Sequence, residues 1–373
     1  MTMKWDSLVI WTTPIRGPRR ASRNREMLKK QITEATGVNR EDVISKEGKI
    51  FVLTGEESIN EAAKTVRKHF GISYFTKALS ANSKEEITEK ILEEINSSKE
   101  ASFDLKPLSR DVKRDVPEIK RKIVELTELV ISPKNGAKMY LERAGGLYFL
   151  CTEREKGPGG RALGSESPLV SILNDSEYSF LSSWSVMRKG HPVIPVFFDF
   201  HGRQVATRVI REIFSWSIGA EIDRKAIFIP YSDTLDEISQ IAGRRVCHIC
   251  RRIMYLVSER LARREGAEGI VVGEILGEKG VKLDSIRIIS RGISLPIIRP
   301  LLAMEEEEIS RIMKSIVTMN LNTLKELSFC RSRAAPRKLS PRELERLEER
   351  VNLTEKIEVL LSSSEEVSFK DLS

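Results

Sequence analysis

The chain has four cysteines in 373 residues, very little glutamine, and no charge-poor apolar run long enough to cross a bilayer. The missing run excludes a helical membrane span, and the first ten residues lack the apolar stretch and small-residue cleavage site of a secretory signal. A soluble, cytoplasmic protein without membrane contact is expected. Thiols stay reduced in that compartment, so a Cys-x-x-Cys pair there points to metal or redox chemistry more than to a structural disulfide. Cys247 and Cys250 form such a pair, Cys330 lies far downstream, and Cys151 ends an apolar strand and reads as core. Scarce glutamine beside abundant Glu, Lys and Arg is also the balance that hot-living organisms select.

What is present is charge. Some 31% of residues are charged, the formal net charge is +8 and the pI is about 9.2, so a polyanionic partner is attracted, nucleic acid first. The length exceeds one ordinary core and implies several domains, each burying an interior.

An apolar run at residues 8–11 stops at Pro14 and opens into the densest basic patch of the chain, carrying Arg16, Arg19, Arg20, Arg23 and Arg25, ahead of a helical stretch over 26–36. Gly17 and Pro18 among the arginines favour exposed loop donors, although a solvated helix entrance explains the same run. Strand-like 49–53 and helix-like 58–69 complete a small α+β unit over residues 1–74. A second unit, residues 75–164, holds helices at 84–95 and 117–127 and strands at 138–142 and 147–152, whose Gly145-Gly146 link reads as a hairpin. Lys106, Arg110 and Lys113 make a second basic patch within it. The Gly- and Pro-rich residues 153–164 read as a flexible hinge and the major boundary.

Beyond it, apolar strands at 168–173, 193–200, 226–231, 269–273 and 295–300 alternate with helices, the pattern of a doubly wound parallel sheet covered on both faces. Such sheets bind ligands at the carboxyl ends of their strands, here the loops after Leu173, Phe200, Tyr231 and Gly273. The helix over 245–264 keeps Val246, Ile249, Ile253, Val257 and Leu261 at helical spacing, with Gly266 as its stop. Cys247 and Cys250 then sit three apart, nearly on one face, where both sulfurs reach one metal or cluster; as small buried residues they would equally serve the core. Zinc with His248 or His201 as fourth ligand is the weaker alternative, since no second Cys or His pair completes the set. Residues 331–373 read as a basic stretch followed by a charged helical tail, packed loosely and opening at a capping box over Ser340 and Glu343.

Several stretches together resemble one family. Arg16-Gly-Pro-Arg-Arg20, Phe70-Gly-Ile-Ser-Tyr-Phe-Thr-Lys-Ala-Leu79 and the connector from Thr152 to Gly164 are followed by Cys247-His-Ile-Cys-Arg-Arg-Ile-Met-Tyr255, Gly269-Ile-Val-Val-Gly-Glu-Ile-Leu-Gly277 and Ile298-Arg-Pro-Leu-Leu302. In order and spacing these resemble the tRNA 4-thiouridine synthetases, the thiamine-pathway tRNA sulfurtransferases, over roughly residues 5–330. The resemblance implies a ferredoxin-like domain (1–74), a THUMP RNA-binding domain (75–164), a PP-loop adenylation domain (165–330) and the tail (331–373). It further implies adenylation of a tRNA uridine carbonyl by ATP and Mg, attack by sulfur from a donor, loss of AMP, and a homodimer. In archaeal-type members a Cys-x-x-Cys pair and a distant cysteine hold a 4Fe-4S cluster with one iron open. Cys247, Cys250 and Cys330 fall at those positions, with Cys330 also the candidate catalytic thiol.

The resemblance breaks at the phosphate loop. Where the family reads Ser-Gly-Gly-x-Asp-Ser, this chain has Asn174, Asp175, Ser176, Glu177, Tyr178 and Ser179. The glycines that let backbone amides approach pyrophosphate are absent, and carboxylates stand in their place. Like charges about 4 Å apart cost on the order of 1 to 4 kcal/mol at a wet surface. The same residues cap a helix and suit its dipole. Gly273 and Glu274 complete the candidate nucleotide set, whose rim is altered after Gly277. Two readings follow: a thiouridine synthetase with a divergent loop, or a tRNA-binding pseudo-enzyme that keeps the fold.

Overall fold

The computed structural model describes residues 4–98, 102–127, 130–133, 136–173, 176–200, 203–277, 281–317 and 338–372. It is a multidomain α/β chain that divides into two compact units, one of residues 1–162 with 218–221 and one of the remainder.

The first unit runs β1 (Ser7–Thr12), α1 (Pro18–Thr36), β2 (Val43–Lys46), β3 (Lys49–Leu53), α2 (Ile59–Arg67), β4 (Ile72–Ala81), α3 (Lys84–Ser98), β5 (Ser102–Pro107), α4 (Asp115–Leu126), β6 (Val130–Ile131), β7 (Ala137–Ala144), β8 (Leu147–Cys151) and β9 (Glu155–Gly159). Its strands form one sheet in the order β2-β3-β1-β4-β8-β7-β5-β6, with β9 also on β4. The expected division at residues 74 and 75 falls inside β4. Residues 72–78 of that strand pair with β1 along one side, while β9 and β8 share the other, so a single ladder runs through the junction.

Alternation decides which side chains meet, because successive residues of a strand face opposite sides. Leu8, Ile10, Ile50 and Val52 turn to α1 and α2, and Leu105, Met139, Leu141 and Leu150 turn to α3 and α4. Val9, Phe51, Ala78, Phe149 and Cys151 turn the other way and form a core of their own. Burial there pushes the Cys151 thiol well above its usual range, as its place at a strand end suggests. That second face is closed by the sheet itself. β3 and β7 are four strand steps apart, about 19 Å in a flat sheet, yet Lys49 of β3 pairs with Glu142 of β7. Lys46 pairs with Asp111 and donates to the Arg143 carbonyl at 2.7 Å. The sheet is therefore rolled.

Two local expectations are revised. The basic patch is helical rather than a loop. Gly17, at φ +90°, turns the chain into α1, and Pro18 at the first helical position supplies a pre-set φ, so Arg19, Arg20, Arg23 and Arg25 ride the first turns of the helix. The hinge over 153–164 contains β9. A Cβ at Gly157 would lie 2.4 Å from the Ile72 carbonyl oxygen, so that glycine serves close backbone approach. The Gly145-Gly146 hairpin forms as expected, both residues at positive φ.

The second unit runs β10 (Leu169–Leu173), α5 (Ser176–Met187), β11 (Val193–Asp199), α6 (Gln204–Phe214), β12 (Lys225–Pro230), α7 (Ser232–Ala242), α8 (Val246–Arg264), β13 (Ile270–Val271), α9 (Leu283–Ile289), β14 (Ile297–Ile298), α10 (Glu306–Ile316), α11 (Pro341–Arg350), α12 (Leu353–Ser362) and β15 (Glu365–Ser368). The sheet order is β14-β13-β10-β11-β12-β15; the first five strands are parallel and β15 adds antiparallel to β12. No described helix is long and apolar enough to cross a membrane.

The described part of the expected tail is an integral layer. Its helix opens on a capping box, with Ser340 Oγ accepting from the Glu343 amide at 3.3 Å and Glu343 accepting from the Ser340 amide at 2.9 Å. Leu339, Leu344, Leu347, Val351, Ile357 and Leu360 are buried in the main core with α7 and α8. The charges that suggested loose packing are the outer face of an amphipathic helix, and several pair across it: Glu343 with Arg245, and Glu348 with Arg252 at 2.8 Å.

The rolled sheet depends on a carboxylate that is only 1% exposed. Glu142→Ala leaves the Lys49 ammonium without its partner and is expected to cost about 3 to 5 kcal/mol in chemical denaturation. Lys64→Ala at the exposed Lys64–Glu61 pair is expected to cost less than about 1 kcal/mol. Equal losses in the two variants would show that the cross-sheet pair does not hold the roll.

Candidate active site

The carboxyl ends of β10 and β13 bring Ser179, Gly273 and Glu274 into one neighbourhood. Asn174 and Asp175 lie outside the described residues; Ser176 opens α5. Ser179 is wholly buried. Its carbonyl accepts from Ser183 Oγ at 2.8 Å, and Ser183 Oγ lies 2.7 Å from Ser171 Oγ on β10. Small hydroxyl residues thus let the helix sit close on the strand. Gly273, just past β13, closes the other side. A Cβ there would stand 2.5 Å from both the Tyr178 carbonyl carbon and the Ser179 nitrogen. Backbone meets backbone at that point, which explains why glycine is needed.

Glu274 turns inward. Its carboxylate accepts from the Tyr255 hydroxyl of α8 and from Arg299 Nε at 2.7 Å just past β14, with Arg251 Nε at 3.6 Å. Arg299 spends its other nitrogens on the Ile297 carbonyl (3.3 Å) and Ser290 Oγ (3.1 Å), and its guanidinium lies 5.7 Å from the Tyr255 ring centroid. Burial, with Glu274 beside it, holds the Tyr255 hydroxyl well above its ordinary range, so it stays a donor. Arg251, Tyr255 and Arg299 were not singled out as site residues. Three separated motifs of the sequence, the Cys-x-x-Cys helix, the Gly-Glu step and the Arg-Pro step, meet in this one cluster, and only their order along the chain hinted at it.

The cysteine pair sits in the first turns of α8. Cys247 is 8% exposed and belongs to the main core, and Cys250 packs half-buried against the same core. The Tyr231 hydroxyl, at the end of β12, donates to the Cys250 carbonyl at 3.4 Å. Its ring is held edge-on by Phe198 and Phe200, with centroids at 5.3 and 5.2 Å. The cysteine turn is thereby tied to the carboxyl end of the sheet. Cys330 and His201 lie outside the described residues, and His248 is buried on α8. Among the described residues no three His, Cys, Asp or Glu are grouped to hold a metal ion. Arg245, which precedes the pair, donates to the Lys338 carbonyl at 3.4 Å, so the chain re-enters the described structure beside the start of α8.

In the first unit Arg16, Arg19, Arg20 and Arg23 are exposed and Arg25 is half-buried. Arg110 and Lys113 are exposed as well. Lys106 is half-exposed but committed, its Nζ 3.0 Å from the buried carboxylate of Asp104. Burial would raise that carboxyl, and Lys106 and Lys120 together hold it below its usual range.

Comparison with known proteins follows the same division. The family described as thiamine biosynthesis protein (ThiI) matches residues 164–357. A probable tRNA sulfurtransferase of Halobacterium salinarum is 32% identical over 184 residues, 48% of this chain and 46% of that protein, so this chain spans about half the length of that relative. One of Thermococcus kodakarensis is 28% identical over 311 residues, 78% of this chain and 81% of its own. The crystal structure of a 4-thiouridine synthetase in complex with RNA and bound ATP superposes with a TM-score of 0.80 at 20% identity, over 97% of this chain and 99% of that one. PH1313 from Pyrococcus horikoshii superposes at 0.63, also at 20% identity, over 83% and 99%. With the family matched over more than half of its length, this chain belongs to the ThiI family.

Proposed function

We propose that the protein is a tRNA sulfurtransferase that makes 4-thiouridine. In this reading ATP, carried with Mg, adenylates the uridine C4 oxygen and releases pyrophosphate; sulfide-level sulfur from a donor then attacks C4, the C–O bond breaks and AMP leaves. The observation that carries the reading is the likeness, over 97% of the chain, to a synthetase described with RNA and ATP, together with family membership. Residues 1–74 and 75–164 serve as ferredoxin-like and THUMP portions for tRNA, 165–330 as the PP-loop portion, and the chain acts as a homodimer. Asn174, Asp175, Ser176, Ser179 and Gly273 are the proposed nucleotide-binding residues. The segment 174–179 has no glycine, so in this reading the first turn of α5 and its dipole take a larger share of phosphate binding than in a glycine loop.

Cys247, Cys250 and Cys330 are the proposed ligands of a 4Fe-4S cluster. The described part of the donor set supports the reading: Cys247 and Cys250 lie one turn apart on α8, one of them half-buried. A bound cluster would supply an open iron for sulfide. The chain's own part is to keep the pair at the carboxyl end of the sheet, which Tyr231 does.

The direct test incubates the protein with MgATP, unmodified tRNA and sulfide as sulfur source and measures AMP. AMP that appears only with tRNA is expected; RNA binding without any AMP would sink the enzymatic reading and leave a tRNA-binding scaffold.

Binding to tRNA should weaken linearly on a log–log plot against salt, because phosphate contacts release counterions. Substituting Arg19, Arg20 and Arg23 together by alanine is expected to lower that slope by about 2 to 3. Affinity that stays flat with salt would rule out a phosphate-dominated contact.

Anaerobically purified protein is expected to carry iron and acid-labile sulfide in comparable amounts, both lost in Cys247→Ala. Iron-free wild-type protein would remove the cluster from the proposal.

A further inference from the structure

We infer that Glu274 is a positioning residue: by anchoring Gly273, it fixes the first turn of α5, where the loop after β10 enters its helix. The inference rests on the reading of that loop as the nucleotide end. The peptide joining Gly273 to Glu274 is held from two sides. On one side Gly273 lies against the Tyr178 and Ser179 backbone, so close that a Cβ would fall 2.5 Å from it. On the other, the Glu274 carboxylate is gripped by Tyr255 and Arg251 of α8 and by Arg299 beyond β14. Neither contact can shift alone. A backbone contact has no flexible side-chain end to yield, and a buried carboxylate between two guanidiniums loses solvation if it moves away from them.

Two other roles for Glu274 fit less well. As a direct ligand of a nucleotide it would have to release Tyr255, buried with it, and the partly buried Arg299. As a general base it would have to leave the Tyr255 hydroxyl and the Arg299 guanidinium that already occupy its two oxygens. What remains is transmission: α8, which carries Cys247 and Cys250, is tied through Glu274 to the backbone against which α5 starts. Cysteine turn and phosphate-facing turn then share one rigid connection.

Hydrogen exchange on the nucleotide-free, full-length protein tests this without activity. In Glu274→Gln the amides of residues 179–183 are expected to exchange at least about tenfold faster while those of β10 to β12 keep their protection. Gly273→Ala attacks the same contact from the other side and should give the same local loss, and it decides the matter if Glu274→Gln does not fold. The control is Glu259→Gln, on α8, whose carboxylate accepts from the Ser294 and Leu295 amides at 2.9 and 3.4 Å; it should loosen residues 293–296 and leave α5 alone. Unchanged α5 exchange in Glu274→Gln or Gly273→Ala, or acceleration spread evenly over the sheet, would overturn the inference. Calorimetric titration of the wild type with MgATP separates the two readings: absence of binding sinks the nucleotide role, whereas the exchange result judges the positioning role by itself.

Discussion

A carboxylate can be kept inside a protein only if its charge is met on every side, and Glu274 imposes that requirement on the second unit. Tyr255 and Arg251 must come from α8, Arg299 from beyond β14, and Ser290 must stand where it accepts from Arg299. Helix, strand ends and loop are thus brought to one point by a group that cannot be left uncompensated. β13 and β14 are two residues each, so backbone pairing supplies little of their hold. The cluster does the work that longer ladders do at β10 to β12.

The first unit solves a related problem with a related device. Its sheet has helices on one face, and the residues of the other face, Val9, Phe51, Phe149 and Cys151 among them, need cover that no described helix supplies. Rolling the sheet brings the two ends together, and Lys49 and Glu142 lock the closure. Arg154 adds a lid of charge over the rim, its guanidinium 4.2 Å from the Trp11 ring centroid. At both buried ion pairs the choice of packing is held by the cost of leaving one partner uncompensated, although apolar groups of the same size would satisfy the core as well. In the ThiI fold such choices matter because the loops that carry chemistry sit at strand ends.

Much of this was legible beforehand, and the exceptions have identifiable causes. Period-two and period-3.6 patterns placed β1, β3, β10, β11, β12 and α8 within a residue or two. α9 and β15 were missed because seven residues carry two helical turns at most, and Glu365 to Ser368 alternate nothing apolar. Gly and Pro usually interrupt helices, so the basic patch reads as a loop; here they start a helix, Gly17 at positive φ and Pro18 in the position where its missing N–H costs nothing. The tail was judged by its charge, although Leu344, Leu347 and Val351 already kept helical spacing toward a core that a linear reading does not display.

The candidate site shows the same limit more sharply. The sequence by itself determined the elements, the sign of the charge, the family signature and the spacing that sets Cys247 and Cys250 on one helical face, since these depend on neighbours within a few residues. Only the tertiary structure decided that Glu274 faces inward to Arg299, that Gly273 serves the backbone of α5, and that Lys106 belongs to Asp104. Those outcomes turn on which charges end up buried together. Desolvation makes that a property of the whole packed interior, and no local pattern of residues carries it.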